Sequence, residues 1–194
     1  MIENLKDKSI KKVDLSTRTI YLNKTIDSES IEEAVLAIND INTYDNEQER
    51  TLKDYTREPI KVIVDSYGGS VYDGLGLVNI ITSSNTPVHT YCYSKGMSMG
   101  LIIFISGHKR FIHENAYLMF HQLSSLVIGT NQDLIDETKS INSLNKRLMK
   151  IVRKRTSITK KQMKKKNLRK VDWFITGKKA LKLNAADELI EDTV

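Results

Sequence analysis

Apolar residues along the chain recur in two spacings, one typical of short buried strands and one typical of amphipathic helices. Strands are predicted at Thr19 to Leu22, Ile60 to Val64 and Val88 to Tyr93, where apolar and β-branched residues cluster. Helices are predicted from the capping-box sequence at Ser30 to Ile41, and from Val71 to Ile81. Strands that alternate with helices in this way indicate an α/β fold with a parallel sheet.

The second half of the chain is predicted to continue this alternation. Arg110 to His113 and Ala116 to Phe120 are the next predicted strands, and Leu126 to Ile128 is a further extended piece. A long helix is expected to follow from Thr130 or Asn131, because apolar residues recur there at three- and four-residue steps. A basic helix, the apolar run Val171 to Ile175 and a short final helix complete the chain.

Polar stretches define the expected domain organisation. Residues 1–17 are polar and mixed in charge, and we expect a mobile N-terminal arm. Residues 44–58 are highly charged and precede Pro59, so we expect an exposed insertion. Since no repeat or low-complexity linker is visible, the 194 residues are predicted to form one domain.

Composition narrows the class of protein. With 40% hydrophobic and 28% charged residues, the chain has the composition of a globular protein. Its longest apolar run, Leu101 to Ile105, is much shorter than the roughly 20 residues of a membrane-spanning helix. The first residues contain no apolar signal-peptide core, and the single cysteine, Cys92, fits a reducing compartment. We therefore expect a cytoplasmic protein that has no contact with a membrane.

Positive charge is concentrated in one segment. Residues 146–182 hold 16 Lys and Arg residues and a single acidic residue, Asp172. Such a segment can bind nucleic acid, but here Trp173 and Phe174 are its aromatic residues and no nucleic-acid motif is present. We therefore expect a solvated lysine-rich surface rather than a nucleic-acid site.

Ser98 is the candidate nucleophile. It lies in Gly96-Met97-Ser98-Met99-Gly100, between the apolar runs that end at Tyr93 and begin at Leu101. A strand, a tight turn and a helix in this order would lift the serine hydroxyl beside free backbone N–H groups. A glycine-bordered loop with a buried serine has the same short pattern, so the motif needs support from elsewhere in the chain.

A serine nucleophile needs a histidine base and a carboxylate that orients it. The chain offers His89, His108, His113 and His121. We favour His121, because it directly follows a predicted strand and would emerge at the sheet edge; His113 is its rival. Asp172 is the favoured carboxylate because it is the lone acid of the basic segment and lies in an apolar run, where we expect it to be buried; pairing with a nearby lysine is the alternative. Asp65, at the end of a predicted strand, is the alternative.

Backbone N–H groups must stabilise the oxyanion that forms on an attacked carbonyl. The N–H of Met99 directly follows Ser98 and would be one donor. The Gly68-Gly69 turn would supply the second, because a residue without a Cβ lets the backbone approach a substrate closely. An α/β-hydrolase requires the order serine, acid, histidine, but Glu114 is the single acid between Ser98 and His121, which leaves no room for that topology.

Together these motifs resemble the ClpP family, the proteolytic subunits of the Clp ATP-dependent protease, from about residue 19 to residue 191. Residues 65–71 are similar to the family's Asn-Ser-Pro-Gly-Gly-Ser-Val loop, and Ser98-Met99-Gly100 to its Ala-Ser-Met-Gly segment. Residues 119–122 are similar to its Met-Ile-His-Gln-Pro segment, and residues 172–176 to its Arg-Asp-x-Phe-x-Ser segment. The resemblance implies the following roles: nucleophile Ser98, general base His121, orienting acid Asp172, and an oxyanion hole formed by the N–H groups of Gly69 and Met99.

The resemblance also implies an architecture and partners. The fold would be a crotonase-like α/β spiral of repeated β-β-α units, with a protruding handle helix from about Asn131 to Arg155. Subunits would form two stacked heptameric rings around a chamber in which unfolded polypeptides are cleaved. A Clp-family unfoldase ATPase would feed that chamber, while peptide hydrolysis itself would need no cofactor and no metal.

The chain departs from the family pattern beside the candidate site. Tyr67 replaces the loop proline, Lys95-Gly96-Met97 replaces Gln-Ala-Ala, and Leu123 replaces the proline after His-Gln. Tyr67 and Lys95 lie close enough to the candidate site to alter substrate preference. Two other functions are the alternatives: a non-catalytic ring subunit that partners an active paralogue, and a crotonase-type acyl-CoA enzyme that shares the fold.

Overall fold

The computed structural model describes residues 17–124, 128–168 and 171–190. The predicted N-terminal arm, residues 1–17, therefore lies outside the described residues except for Thr17. The predicted extended piece at residues 126–128 lies outside them except for Ile128.

The described residues form strands and helices that alternate along most of the chain. In chain order they are β1 (Thr19–Leu22), α1 (Ser28–Thr51), β2 (Ile60–Val64), α2 (Val71–Ser83), β3 (Val88–Cys92), β4 (Lys95–Met97), α3 (Met99–Phe104), β5 (Lys109–His113), β6 (Tyr117–Phe120), α4 (Asn131–Arg155), α5 (Lys160–Leu168), β7 (Trp173–Thr176), α6 (Gly177–Lys182) and β8 (Glu188–Ile190).

Two sheets organise these elements. The larger sheet has the strand order β1-β2-β3-β5-β8, and all of its pairs are parallel. In the smaller sheet, β6 pairs with β4 in parallel and with β7 antiparallel. This mostly parallel arrangement with helices confirms the predicted α/β class. In the described part of the chain, no helix has the length and apolar character that a membrane span requires.

The core lies between the larger sheet and the helices that follow its strands. In β2, Ile60, Val62 and Val64 are fully buried on one face of the strand, whereas Lys61 on the other face is exposed and Ile63 is half-buried. Residues 101–105 of the predicted apolar run are also buried, with Phe104 as the largest side chain among them. Burial of these side chains removes most of their apolar surface from water, which is the main driving force for folding.

Helix α1 differs from its prediction at both ends. Its N-cap is Asp27, whose carboxylate accepts a hydrogen bond from Ser30 N at 2.9 Å, so Ser30 completes the capping box from inside the helix. The helix then continues to Thr51, well past Ile41. Residues 44–51 of the predicted exposed insertion therefore belong to this helix.

Asp45 explains why this polar stretch is ordered. Its side chain is fully buried and accepts hydrogen bonds from Arg18, from Tyr55 Oη at 2.5 Å and from Thr86 Oγ1 at 2.6 Å. Burial raises the pKa of Asp45, but the hydrogen bonds from Arg18, Thr86 and Tyr55 outweigh it and lower that pKa to about 2. A carboxylate can be buried when hydrogen bonds and an opposite charge compensate for the loss of water. From the sequence alone, the charged residues around Asp45 indicated an exposed surface.

Strand β4 also departs from the expected order of elements. The predicted strand before Ser98 was Val88 to Tyr93, but β3 ends at Cys92 and the chain forms β4 before it reaches Ser98. β4 pairs with β6, and a Cβ on Gly96 would lie 3.0 Å from the Leu118 side chain. Ser98 therefore directly follows a strand of the smaller sheet.

Helix α4 spans Asn131–Arg155, as predicted for the handle helix. Thr130 is its N-cap and forms a capping box with Asp133. Its first two turns are exposed, whereas Leu144, Leu148 and Ile151 are half-buried against the core. The helix is thus anchored by its C-terminal half and extends away from the core at its N-terminal end.

Candidate active site

Ser98 occupies a strained turn between β4 and α3, here called the serine elbow. Its backbone has φ +53° and ψ −118°, a region that non-glycine residues rarely adopt. Ser98 N donates to Met119 O at 2.9 Å, and Ser98 O accepts from Leu101 N at 3.1 Å. Such strain persists where the surrounding structure enforces it, and it is concentrated at functional sites.

His121 lies within hydrogen-bond distance of Ser98. It follows β6 directly, and its Nε2 atom is 2.7 Å from Ser98 Oγ. The backbone hydrogen bond between Ser98 and Met119, two residues before His121, fixes the elbow against the end of β6. When Nδ1 carries the ring proton, Nε2 can accept the serine proton, which is the geometry of a nucleophile and its general base.

Asp172 lies beside His121 without contacting it. The β6–β7 ladder pairs Phe120 with Trp173, so His121 and Asp172 oppose each other one position past its end. Trp173 and Ile175 point into the core, and the alternation along β7 leaves Asp172 exposed, contrary to the predicted burial. No hydrogen bond or ion pair among the described residues joins Asp172 to His121. Opposed residues in such a ladder have Cβ atoms about 5 Å apart, which a rotated side chain can span.

The alternative residues from the sequence have other partners. Asp65 forms an ion pair with Lys95, whose Nζ is 2.6 Å from Asp65 Oδ1. The hydrogen bond to Asp65, ahead of an opposing effect of burial, raises the pKa of Lys95. His113 Nδ1 accepts from Asn115 N at 3.2 Å within a turn. Of the four candidate histidines, His121 is the one that the structure brings to Ser98.

His89 and His108 contribute to the larger sheet. His89 packs against Phe111 with ring centroids 5.8 Å apart, and burial lowers the pKa of His89. His108 Nδ1 accepts a hydrogen bond from Val88 N at 3.0 Å. Both rings therefore have structural roles beside β3 and are not part of the candidate site.

The glycine turn lies directly on the serine elbow. Gly68 has φ +105° and Gly69 has φ +151°, values that favour glycine. A Cβ on Gly68 would be 2.7 Å from Ser98 Cβ and 3.0 Å from Met99 N. Because these two residues have no side chains, the Gly68-Gly69 turn can pack directly against Ser98 and Met99.

Two backbone N–H groups remain available beside Ser98. Ile26 N donates to Gly68 O, and Ile26 O accepts from Ser70 N. Because the N–H groups of successive residues in an extended segment point to opposite sides, the N–H of Gly69 points away from Ile26. The N–H of Met99 is the first of α3 and has no acceptor within the helix. Neither group donates a hydrogen bond to another described residue, and both can therefore bind an oxyanion.

A cavity of about 90 Å³ opens beside the Ser98 hydroxyl. Gly69, Met99 and His121 border it, and the remaining wall is mostly apolar, formed by Val71, Ile102, Phe120, Leu123 and Leu148. An engineered cavity of roughly 150 Å³ accommodates benzene. The space here is smaller and is partly open to solvent.

Comparison with known proteins gives a consistent result across nearly the whole chain. The model of the family described as Clp protease matches residues 4–193, a range that includes every candidate site residue. An ATP-dependent Clp protease proteolytic subunit from Deinococcus radiodurans is 27% identical over 181 residues, covering 92% of this chain and 83% of the relative. Proteolytic subunit 2 from Synechococcus sp. strain CC9605 is 27% identical over 179 residues, covering 91% and 85%. Proteolytic subunit 2 from Chlamydia abortus is 28% identical over 136 residues, covering 69% and 65%.

Proposed function

The chain belongs to the Clp protease family, and we propose that it is a serine endopeptidase with Ser98 as nucleophile and His121 as general base. Family membership supports a peptidase of the ClpP type, and the α/β fold is consistent with it. The observation that carries the assignment of residues is the 2.7 Å contact between Ser98 Oγ and His121 Nε2 on a strained elbow.

The proposed reaction assigns a role to Ser98, to His121 and to the two free backbone N–H groups in their observed positions. Ser98 Oγ attacks a peptide carbonyl while His121 Nε2 takes its proton, and the resulting oxyanion is bound by the N–H groups of Gly69 and Met99. The protonated His121 then gives its proton to the leaving amine, and an ester of Ser98 remains. Water attacks this ester with the same base, which releases the acid product and restores Ser98.

Asp172 completes this scheme by a change of side-chain rotamer. Rotated toward His121, its carboxylate would accept the Nδ1 proton and hold the ring in the tautomer that Nε2 requires. A charged carboxylate also stabilises the imidazolium that forms during attack. We propose that assembly or substrate binding favours this rotamer.

The cavity beside Ser98 suggests which polypeptides are cleaved. Its volume of about 90 Å³ and its apolar wall favour an aliphatic residue on the acyl side of the scissile bond. Unfolded polypeptides can present such residues in an extended conformation, whereas a folded protein buries them.

We further propose that subunits assemble into stacked rings that receive substrate from a Clp-family ATPase in the cytoplasm. Membership of the family supports this, and so does α4, which carries exposed apolar residues at Leu134 and Ile135 near its protruding end. An amphipathic helix of this kind is suited to contact another copy of the chain.

A second candidate is a non-catalytic ring subunit that partners an active paralogue. The exposed Asp172, which does not contact His121 in the single chain, is the observation that favours it. The intact contact between Ser98 and His121 favours the catalytic assignment instead.

Hydrolysis of a fluorogenic peptide with leucine before the scissile bond tests the proposal. Wild type is expected to cleave it, and Ser98→Ala to lose at least about 10³-fold in kcat. Ser94→Ala is the matched control, because Ser94 is an exposed serine close to Ser98 in sequence, in the connection between β3 and β4. Solution mass is measured in parallel: assembly of wild type without cleavage would favour the non-catalytic subunit, and an active Ser98→Ala would contradict the serine mechanism.

A further inference from the structure

Lys95 contacts three successive residues of the loop that carries the glycine turn, here called the glycine loop and comprising residues 65–70. Its Nζ is 2.6 Å from Asp65 Oδ1, its carbonyl accepts from Ser66 N at 3.1 Å, and its Nζ lies 4.8 Å from the ring centroid of Tyr67. The Lys95 side chain is 22% exposed and that of Asp65 is 35% exposed. Water screens this pair less than it screens a fully exposed one.

The strand that contains Lys95 leads directly into the candidate nucleophile. Lys95-Gly96-Met97 forms β4, and Ser98 is the next residue. Met97 N donates to Ser66 O at 2.9 Å, so β4 and the glycine loop are joined by backbone hydrogen bonds on both sides of Gly96. The position of the loop relative to β4 therefore sets the position of Gly69 relative to Ser98.

The glycine loop is restrained by backbone pairing with Ile26 and by the hydrogen bond from Gly68 N to Ser66 Oγ at 3.1 Å, but its own residue types restrain it little. Gly68 and Gly69 are adjacent, and glycine loses more backbone freedom on folding than any other residue. Tyr67, which precedes them, has no ring that fixes φ, and its side chain is exposed except where Lys95 covers it. Contacts from outside the loop therefore hold it in place: Ile26 pairs with Gly68 and Ser70 on one side, and Lys95 contacts Asp65 and Tyr67 on the side of β4.

We propose that Lys95 is a positioning residue that clamps the glycine loop onto β4 and so keeps the N–H of Gly69 at oxyanion distance from Ser98. This inference rests on the proposed function. Oxyanion donors bind the transition state more strongly than the substrate, so loss of the clamp lowers kcat more than it raises KM. Because the clamp includes an ion pair, high salt weakens it.

Lys95→Met tests the clamp, because methionine keeps an unbranched apolar side chain and removes the charge. Lys109→Met is the matched control: Lys109 Nζ also pairs with a carboxylate, Glu188 at 2.6 Å, and also lies 5.0 Å from a ring centroid, that of Phe111, but on β5. Lys95→Arg provides conservative rescue. The readouts are kcat and KM on the fluorogenic peptide and hydrogen exchange of the amides in residues 65–70.

For Lys95→Met we expect kcat to fall about tenfold, less than the 10²–10³-fold loss on removing a donor outright, with KM changed less than about twofold. Amide exchange in the glycine loop should become faster. Lys95→Arg should restore most of kcat, and Lys109→Met should leave kcat and exchange at wild-type values. High salt should lower kcat of wild type toward that of Lys95→Met, while kcat of the variant responds less.

Two results would overturn the clamp. Wild-type kcat together with unchanged exchange in Lys95→Met would show that the ion pair does not position the loop. A rise in KM alone would show that Lys95 contacts substrate instead. If wild type itself is inactive, the proposed function fails; exchange in residues 65–70 then decides the clamp by itself, and an unchanged rate in Lys95→Met contradicts it.

Discussion

Replacement of Gly68 by alanine should impair catalysis by displacing the serine elbow. The new Cβ would lie 2.7 Å from Ser98 Cβ and 2.8 Å from Met97 O, whereas ordinary contacts of a Cβ are 3.4–4 Å. Either the glycine loop or the elbow must therefore shift by about 1 Å. A misplacement of that size near reacting groups lowers rates about 100-fold, which corresponds to about 2.7 kcal/mol of activation free energy.

The same substitution should also lower stability, because φ at Gly68 is +105°. A side chain in this conformation costs on the order of 1–3 kcal/mol, which thermal or urea unfolding can measure. Both effects are compared at a temperature where the variant remains folded by circular dichroism. Loss of kcat in the folded variant then reports the displaced elbow rather than unfolding.

Gly76→Ala is the matched control. Gly76 lies in α2, and a Cβ there would have no atom within 4 Å. Alanine in a helix interior is favoured over glycine by roughly 0.5–1 kcal/mol, so this variant should be slightly more stable and equally active. Wild-type kcat in Gly68→Ala, or an equal loss in Gly76→Ala, would refute the proposed contact between the glycine turn and the elbow.

Further predictions concern an orienting acid, a buried acid and a buried thiol. Asp172→Asn should lower kcat by about 10⁴-fold with little change in KM, and wild-type kcat in this variant would remove Asp172 from the proposed triad. The pKa of Asp45 is about 2 when folded and 3.8 ordinarily, so this group contributes about 2 kcal/mol of stability above pH 4 that is lost as pH falls through 2. Urea unfolding from pH 5 downward should show that loss in wild type and not in Asp45→Asn, provided the variant folds; an identical slope in both would contradict it. Burial raises the pKa of Cys92 to about 12, so iodoacetamide at pH 8 should alkylate the thiol in urea and not in the folded protein, where rapid alkylation would contradict the burial.

Much of the fold follows from local patterns in the sequence. Strand β2 has the predicted bounds and helix α4 begins where predicted, because a compact β-branched run and a long apolar stripe are strong local signals. The end of α4 at Arg155 is the one that the family resemblance implied. Strand β4 was not predicted, because Lys95-Gly96-Met97 has no strand-like pattern and becomes extended only through its pairing with β6.

The burial of charged residues was harder to predict from the sequence. Asp45 resembles a surface residue, and its burial depends on Arg18 and Thr86, which are 27 and 41 positions away in sequence. Asp172 was expected to be buried because its neighbours are apolar, yet the alternation along β7 exposes it. Both outcomes depend on long-range pairing that a single sequence does not display.

At the candidate site, the sequence was most informative about the motifs and least informative about their relative positions. The structure brings Ser98 and His121 together and puts the glycine turn against them. The pairing of Lys95 with Asp65 could not be predicted, because it joins strand β4 to a loop that lies 30 residues earlier in the sequence. The sequence showed a lysine three residues before Ser98, but only the fold shows that its partner is Asp65.

The most direct test of the central claim is covalent labelling by a fluorophosphonate, followed by peptide mapping of the modified residue. The account predicts one adduct on Ser98 in wild type, strongly slowed labelling in His121→Ala, and no adduct at this position in Ser98→Ala. Labelling that persists in Ser98→Ala on another serine, or a wild type that assembles but takes up no probe, would contradict the assignment of Ser98 as a nucleophile activated by His121.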